Sequence, residues 1–480
     1  MRLTNLPSWF SLRIAALLSA FAGCSAQLSS TLGPGDAGLM EPADHEPSGR
    51  RAADTGGVAV GGAAGVRTNR EPSSAASAGR NTTQAGAGGA AAGRSGANAG
   101  DSGTGGSGGM TSAAGADPTA GTAGATSSGP VYPQPGQMTG PGKLPPEVAR
   151  VTYKDTLICD NPQIVRDLGF SGVVNGQIVW TFGDTLLLKP GGGSTFSASD
   201  SAALGDLREP THVHDKSLNA SGGPEQWIPL TPDEQSSGGL SRFAEGGTNV
   251  IEYAPNKGLV WFLKNDRGGG SDSIVGAGVA TVTADANGPK AVRVVDTMWN
   301  SFEPFWGDIG VTYNSLDQHV YVFGHGPASA NLGAHVYLAK VPAAQATEVS
   351  AYQYWDQSQK SWSTQRFADG TLGTLKLTSS QAIFANRTLG QSNAFWSNYY
   401  NTWMFVYGAD VGYTDVMVMT APQLEGPWTK GVTVASTCPK TCSSIRYAIA
   451  PHPEFDATGR TLLVTWTDAN VNYVVQIEWK

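Results

Sequence analysis

Asn175-Gly-Gln-Ile-Val-Trp-Thr-Phe-Gly-Asp184 sets an Asn-Gly pair directly before a run of apolar, β-branched and aromatic residues. Asn-Gly tolerates positive φ at both positions, which a two-residue hairpin turn needs. An apolar strand precedes the pair, so Val179-Trp-Thr-Phe-Gly-Asp184 reads as the second strand of a hairpin. The same pattern restarts four times, at Val260-Trp-Phe-Leu-Lys-Asn265, Val320-Tyr-Val-Phe-Gly-His325, Trp403-Met-Phe-Val-Tyr-Gly408 and Leu463-Val-Thr-Trp-Thr-Asp468. Their turns are Asn256-Lys-Gly258, Asn314-Ser-Leu-Asp317, Asn398-Tyr-Tyr-Asn401 and Asp456-Ala-Thr-Gly459. No long helical period interrupts them. One hairpin restarting at this spacing predicts an all-β, five-bladed propeller over residues 136–480, each blade a four-stranded sheet. A β-sandwich pair is the competing architecture, and the regular restart disfavours it.

Upstream the composition changes. Residues 22–131 hold no Phe, Trp or Tyr, and Gly, Ala, Ser and Thr dominate 52–130. Such a chain buries too little apolar surface to offset its entropy, so residues 24–135 read as a disordered tether, with a mean end-to-end distance near ~60 Å. At the start, Arg2 and Arg13 flank a short apolar run, Ile14–Ala22, which ends in Phe21-Ala-Gly-Cys24. The run is too short to span a bilayer. It resembles a bacterial lipobox, which implies a signal peptide over 1–23, lipid on Cys24, and an exported lipoprotein at the outer membrane or cell surface. The membrane then meets the protein through the lipid anchor alone.

The net charge of −8 disfavours a nucleic-acid partner. A phosphate loop, a His-Glu-x-x-His motif and a nucleophile elbow are all missing from the sequence, so no cofactor and no metal ligand set is expected. A monomer is expected. Cys438-Pro-Lys-Thr-Cys442 can close a small disulfide loop, or Cys159 can pair with either of the two.

Seven short stretches carry a resemblance. Arg166-Asp-Leu-Gly169 leads into Phe182-Gly-Asp-Thr185. Val336-Tyr-Leu-Ala-Lys-Val341 is followed by Tyr352-Gln-Tyr-Trp355. Gly390-Gln-Ser392, Gly426-Pro-Trp428 and Ala450-Pro-His-Pro-Glu454 come in that order. Together they resemble a bacterial domain-of-unknown-function family of five-bladed propellers related to glycoside hydrolases, some of which degrade D-arabinan. The resemblance implies a carbohydrate ligand, arabinan-like or otherwise furanose-rich. It also implies an acidic residue before Ser392, where this chain has Gln391.

In a propeller, the starts of the first strands and the ends of the second open on one face. Counting thirteen residues back from each second-strand anchor gives Asp167, Thr248, Asp308, Gly390 and Pro451, and the next position adds Asn249, Gln391 and His452. The strand-end register adds Asp184, Asp266, His325, Asp410 and Asp468. Glycosidic cleavage needs paired carboxyls, one to protonate the leaving oxygen and one to attack or activate water. Asp167 and Asp308 are the first candidates, with Glu245 and Glu454 as partners. Trp306, Asn249, His325, Gln391, His452, Arg166 and Arg446 are candidate substrate contacts. A capping role in turns competes for each Asp, and bidentate pairing to an Asp competes for each Arg. A non-catalytic propeller that binds glycan or protein at the cell surface is the alternative function.

Overall fold

The computed structural model describes residues 129–136, 146–269, 273–368, 375–385, 389–408, 415–439, 442 and 445–480. Cys24, its signal segment and the tether up to residue 128 lie outside them, as does Asp410. Apart from one short helix, Pro232–Ser236, and a few 3-10 turns, the regular structure described is strand.

Five mainly antiparallel sheets of four to six strands, not four in every blade, follow one another along the chain, with a small parallel pair, Phe367–Ala368 and Leu375–Lys376, beside them. Each begins with a first strand that leads through a turn into one of the five runs. Blade one opens with Ile164–Val174 and Gln177–Leu188. Blade two opens with Phe243–Gly247 and Ile251–Ala254, both paired to Lys257–Asp266. Blade three has Phe305–Asn314 and His319–His325, and blade four Asn393–Ser397 and Thr402–Gly408. Blade five has Arg446–His452 and Thr461–Asp468. The expected five-bladed propeller is the observed fold. Asn175 (φ 52°) and Gly176 (φ 67°) make the positive-φ turn that their sequence requires.

Blade five is closed by the N-terminal side of the domain. Its outer strand, Val148–Thr156, pairs antiparallel with the C-terminal Val471–Trp479, and Lys480 N–H donates to the Glu147 carbonyl at 2.9 Å. The ring thus has no free junction between its first and last blades. Residues 129–136 also lie against the propeller. Asn393 Nδ2 donates to the Tyr132 hydroxyl at 3.2 Å, and Ser315 N–H donates to Gln134 Oε1 at 3.0 Å. These few residues, read from sequence as the end of the tether, therefore pack with the domain.

The core is a set of seams between neighbouring blades. Trp261 and Trp306 share the seam of blades two and three, and Phe323 and Phe405 that of three and four. Phe395 and Trp466 share the seam of blades four and five, and Val179 and Val260 that of one and two. At the centre the first strands crowd. A Cβ added to Gly172 would stand 1.9 Å from the Val250 carbonyl oxygen, and one added to Gly310 would stand 2.4 Å from the Ser392 carbonyl oxygen. Only a residue without a side chain lets those backbones approach so closely. Cys438 and Cys442 form a disulfide and Cys159 is free, the first of the pairings open from sequence.

Candidate functional site

Asp167 sits where the first strand of blade one bulges. Pairing shifts on both sides of Leu168, and Leu168 (φ 64°) and Gly169 (φ 105°) take left-handed conformations. A bulge re-aims a side chain that regular pleating would fix. The carboxyl is buried, and its Oδ2 accepts from the Tyr447 hydroxyl at 2.9 Å. Burial, and after it the charge of Asp184, pushes Asp167 up to about 7; the Tyr447 hydrogen bond and the Arg267 charge pull against them. Asp184, expected at the strand end but lying inside Gln177–Leu188 of the same blade, is itself ion-paired to Arg267 of blade two at 3.0 Å. A carboxyl with a raised pKa therefore stands near a carboxyl that is ion-paired to a guanidinium.

Asp308 occupies the matching bulge of blade three. Pairing shifts between Trp306 and Gly310, and Gly307 (φ 93°) makes the turn. Its two carboxylate oxygens both go to His325: Oδ1 accepts the backbone N–H at 3.0 Å, and Oδ2 lies 2.8 Å from Nδ1. The first-strand and strand-end candidates of this blade thus meet. With Nδ1–H on the carboxylate, Nε2 of a neutral ring is a bare acceptor. Nε2 is buried and has no hydrogen-bond partner among the described residues.

The counting rule holds in blades one and three and fails elsewhere, because hairpin lengths differ. Ser171 pairs with Trp180, and Thr312 with Tyr321. Asp167 and Asp308 each lie four residues before that partner. In blade five, Pro451 is itself the partner of Val464, so the residue at the height of Asp167 is Tyr447. The longer turn, which carries the 3-10 segment Pro453–Phe455, displaced the count. Tyr447 is the site residue that sequence reasoning missed. In blade four, Trp396 pairs with Trp403, so the same height falls on Ser392, whose hydroxyl donates to the Leu389 and Gly390 carbonyls. Half-buried Gln391 precedes it, so this blade adds no carboxyl here. In blade two, Gly247 pairs with Phe262, which sets Thr248 opposite Trp261, so the same count falls on Ala244 and misses its neighbour Glu245, which pairs with Lys264. Its side chain turns away, with Oε1 taking Arg293 Nη1 at 3.1 Å within a cluster of Glu234, Lys264 and Asp296. Burial still pushes Glu245 up to about 8. Its geometry is that of an ion cluster, not of a partner to Asp167.

Glu454 and His452 lie farther along the channel. Ser171, which contacts both, is four residues past Asp167, on the order of 10–13 Å of strand. Thr465 donates to the Gly169 carbonyl at 2.9 Å, so its oxygen takes His452 Nε2–H at 2.8 Å. Nδ1 is then bare and needs the Ser171 proton, which leaves Glu454 to carry its own. The electrostatics agree: burial pushes Glu454 up to about 7 and His452 down to about 3. Burial pushes the Tyr132 hydroxyl, on the segment 129–136, upward. This buried chain of hydrogen bonds ties the first strands of blades one and five together, and Glu454 Oε2 has no hydrogen-bond partner among the described residues.

Four other candidates are corrected by their partners. Arg166 is buried and holds Asp215 with Nη2 at 2.8 and 2.9 Å, while its guanidinium lies 4.2 Å over the Phe182 ring. Asn249 bridges blades by bonding both the N–H and the carbonyl of Val311. Trp306 is fully buried against Tyr354, with ring centroids 5.5 Å apart, and offers no face to a sugar. Arg446 is buried and donates through Nε to Thr437 at 2.8 Å. Among the described residues, no group at the mouth has metal-ligand spacing.

Residues 280–478 match the domain of unknown function DUF4185. No curated protein matches the chain by sequence. Among solved structures, the chain is similar to a presumed hydrolase of Bacteroides ovatus (14% identity, TM-score 0.46, 65% of this chain and 85% of that one). It is also similar to an exo-β-1,3-galactanase of Phanerochaete chrysosporium (10%, 0.41, 68% and 64%) and to arabinanase Arb43A of Bacillus subtilis (10%, 0.37, 65% and 94%). At such identities and scores these likenesses transfer no residue role.

Proposed function

We propose that the mouth around Asp167 binds and hydrolyses a glycan, and that the protein works as a glycoside hydrolase-like propeller held at the cell surface by lipid on Cys24. One observation carries the reading: a buried carboxyl with a raised pKa, held by a tyrosine beside a charge-paired carboxylate, at the strand register that Asp308, bonded to His325, occupies in blade three. A general acid needs its proton near neutral pH, and burial supplies that. In this reading Asp167 protonates the glycosidic oxygen. His325 accepts a proton from water through Nε2, and Asp308 positions the ring. Arabinan-like, furanose-rich polymers are the first substrates to test, on the strength of the family resemblance.

A second reading has its own support. Gln391 and Ser392 leave the start of blade four's first strand without a carboxyl, which favours a propeller that holds glycan without cleaving it. The test offers the full chain a polysaccharide panel, measuring reducing-end release and, separately, retardation in glycan-containing gels. Release abolished by Asp167→Asn supports hydrolysis. Retardation without release supports binding alone. If neither occurs on any polymer, the glycan reading fails.

A further inference from the structure

A second cluster lies on the outer edge of blade one. Its outermost strand is Ile158–Cys159, which pairs parallel with His212–His214 over only two positions. His212 and His214 are two apart on a strand, so their side chains share a face. Asp160 follows the neighbouring strand. His212 Nε2 lies 3.1 Å and His214 Nδ1 3.0 Å from the same oxygen, Asp160 Oδ1. The imidazole centroids are 4.6 Å apart.

We propose that Asp160, His212 and His214 bind one divalent transition metal ion of the zinc class. In a tetrahedral site with bonds of about 2.0–2.1 Å, ligand atoms stand ~3.3 Å apart, close to the separations seen. Two imidazoles and one carboxylate suit zinc, cobalt or nickel over calcium or magnesium, which prefer all-oxygen shells. The remaining nitrogen of His212, Nδ1, lies 3.2 Å from Glu209 Oε2. An outer carboxylate on the non-ligating nitrogen fixes the tautomer that leaves Nε2 free for a metal. The side chains of Asp160, His212 and His214 are 46%, 28% and 31% exposed, so an ion can enter, and water fills the rest of its shell.

The position gives the ion a task. Asp160 lies on the short passage between Val148–Thr156, which closes blade five, and Ile164–Val174, which opens blade one. Two residues of parallel pairing hold that passage weakly. A metal would tie it to the His212–His214 strand and so fasten the point where the ring is joined.

The full chain, carrying no histidine tag and stripped with chelator, is titrated with Zn²⁺ by calorimetry and with Co²⁺ by visible absorption. One Zn²⁺ per chain is expected, with a higher melting temperature on binding. Asp160→Asn, His214→Gln and the double change His212→Gln/His214→Gln should each weaken affinity at least tenfold and abolish the thermal gain. Glu209→Gln should weaken binding by about tenfold, as outer-carboxylate losses do. Melting in chelator reports whether each variant is folded, and the Co²⁺ bands of the unaltered protein report imidazole ligation independently. Undiminished binding by the double variant, or no specific Zn²⁺ binding by the unaltered chain, overturns the site.

Discussion

Asp167 carries the sharpest expectations at the scale of single residues. Its folded pKa, about 7, lies above the value of about 3.9 for an unfolded aspartate. The folded state therefore holds the proton more tightly. That stability is complete below pH ~4 and is lost as pH rises through 7, with a limit of roughly 4 kcal/mol. Asp167→Asn removes the dependence. The melting temperature of the unaltered protein should fall relative to that of the variant between pH 4 and 8, and parallel curves would show an ordinary carboxyl. On any glycan cleaved, the same variant should lose 10²–10⁴ in rate. Tyr447→Phe removes a hydrogen bond that favours the ionised form, so the alkaline limb of the rate profile should move upward. Measured from pH 5 to 9, an unmoved limb would make Tyr447 a spacer only.

Elements set the height at which those residues stand. Asp167 and Asp308 share a register because their hairpins are equally long, and each needs a bulge to aim its carboxyl. Glu245 stands one residue off that register, and its side chain turns to Arg293. Close approach of the first strands is the other demand. Gly172→Ala sets a methyl against the Val250 carbonyl, and overpacking of this kind costs about 1–3 kcal/mol. A lowered denaturant midpoint with unchanged slope is the expected result, and an unchanged midpoint would mean that the channel yields easily.

The whole molecule depends on closure. Val148–Thr156 is the outer strand of blade five, far in sequence from Val471–Trp479. Deleting residues 146–157 should leave that blade with an unpaired edge, lower the melting temperature and promote association between chains. Scattering and thermal melting would check both effects, and a monomer with unaltered melting would show that the strand is dispensable. The chemistry at the other end of the chain is separable. Cys24→Ser should release the protein from membranes or block its processing. Fractionation that does not change would remove the lipid anchor from the proposal.

The sequence by itself determined the architecture, because propeller hairpins are local. An Asn-Gly turn and the β-branched run after it specify their strand pair within about twenty residues, and five repeats count the blades. It also assigned Asp167 and Asp308 the same strand register, since the two hairpins are equally long. Tertiary structure decided the rest. Whether Arg166 met a substrate depended on Asp215, 49 residues away. Tyr447 met Asp167 across 280 residues and a turn of unexpected length. His212-Val-His214 showed nothing without Asp160, 52 residues earlier. Side-chain partners across blades are set by the closing of the ring, which no local spacing records.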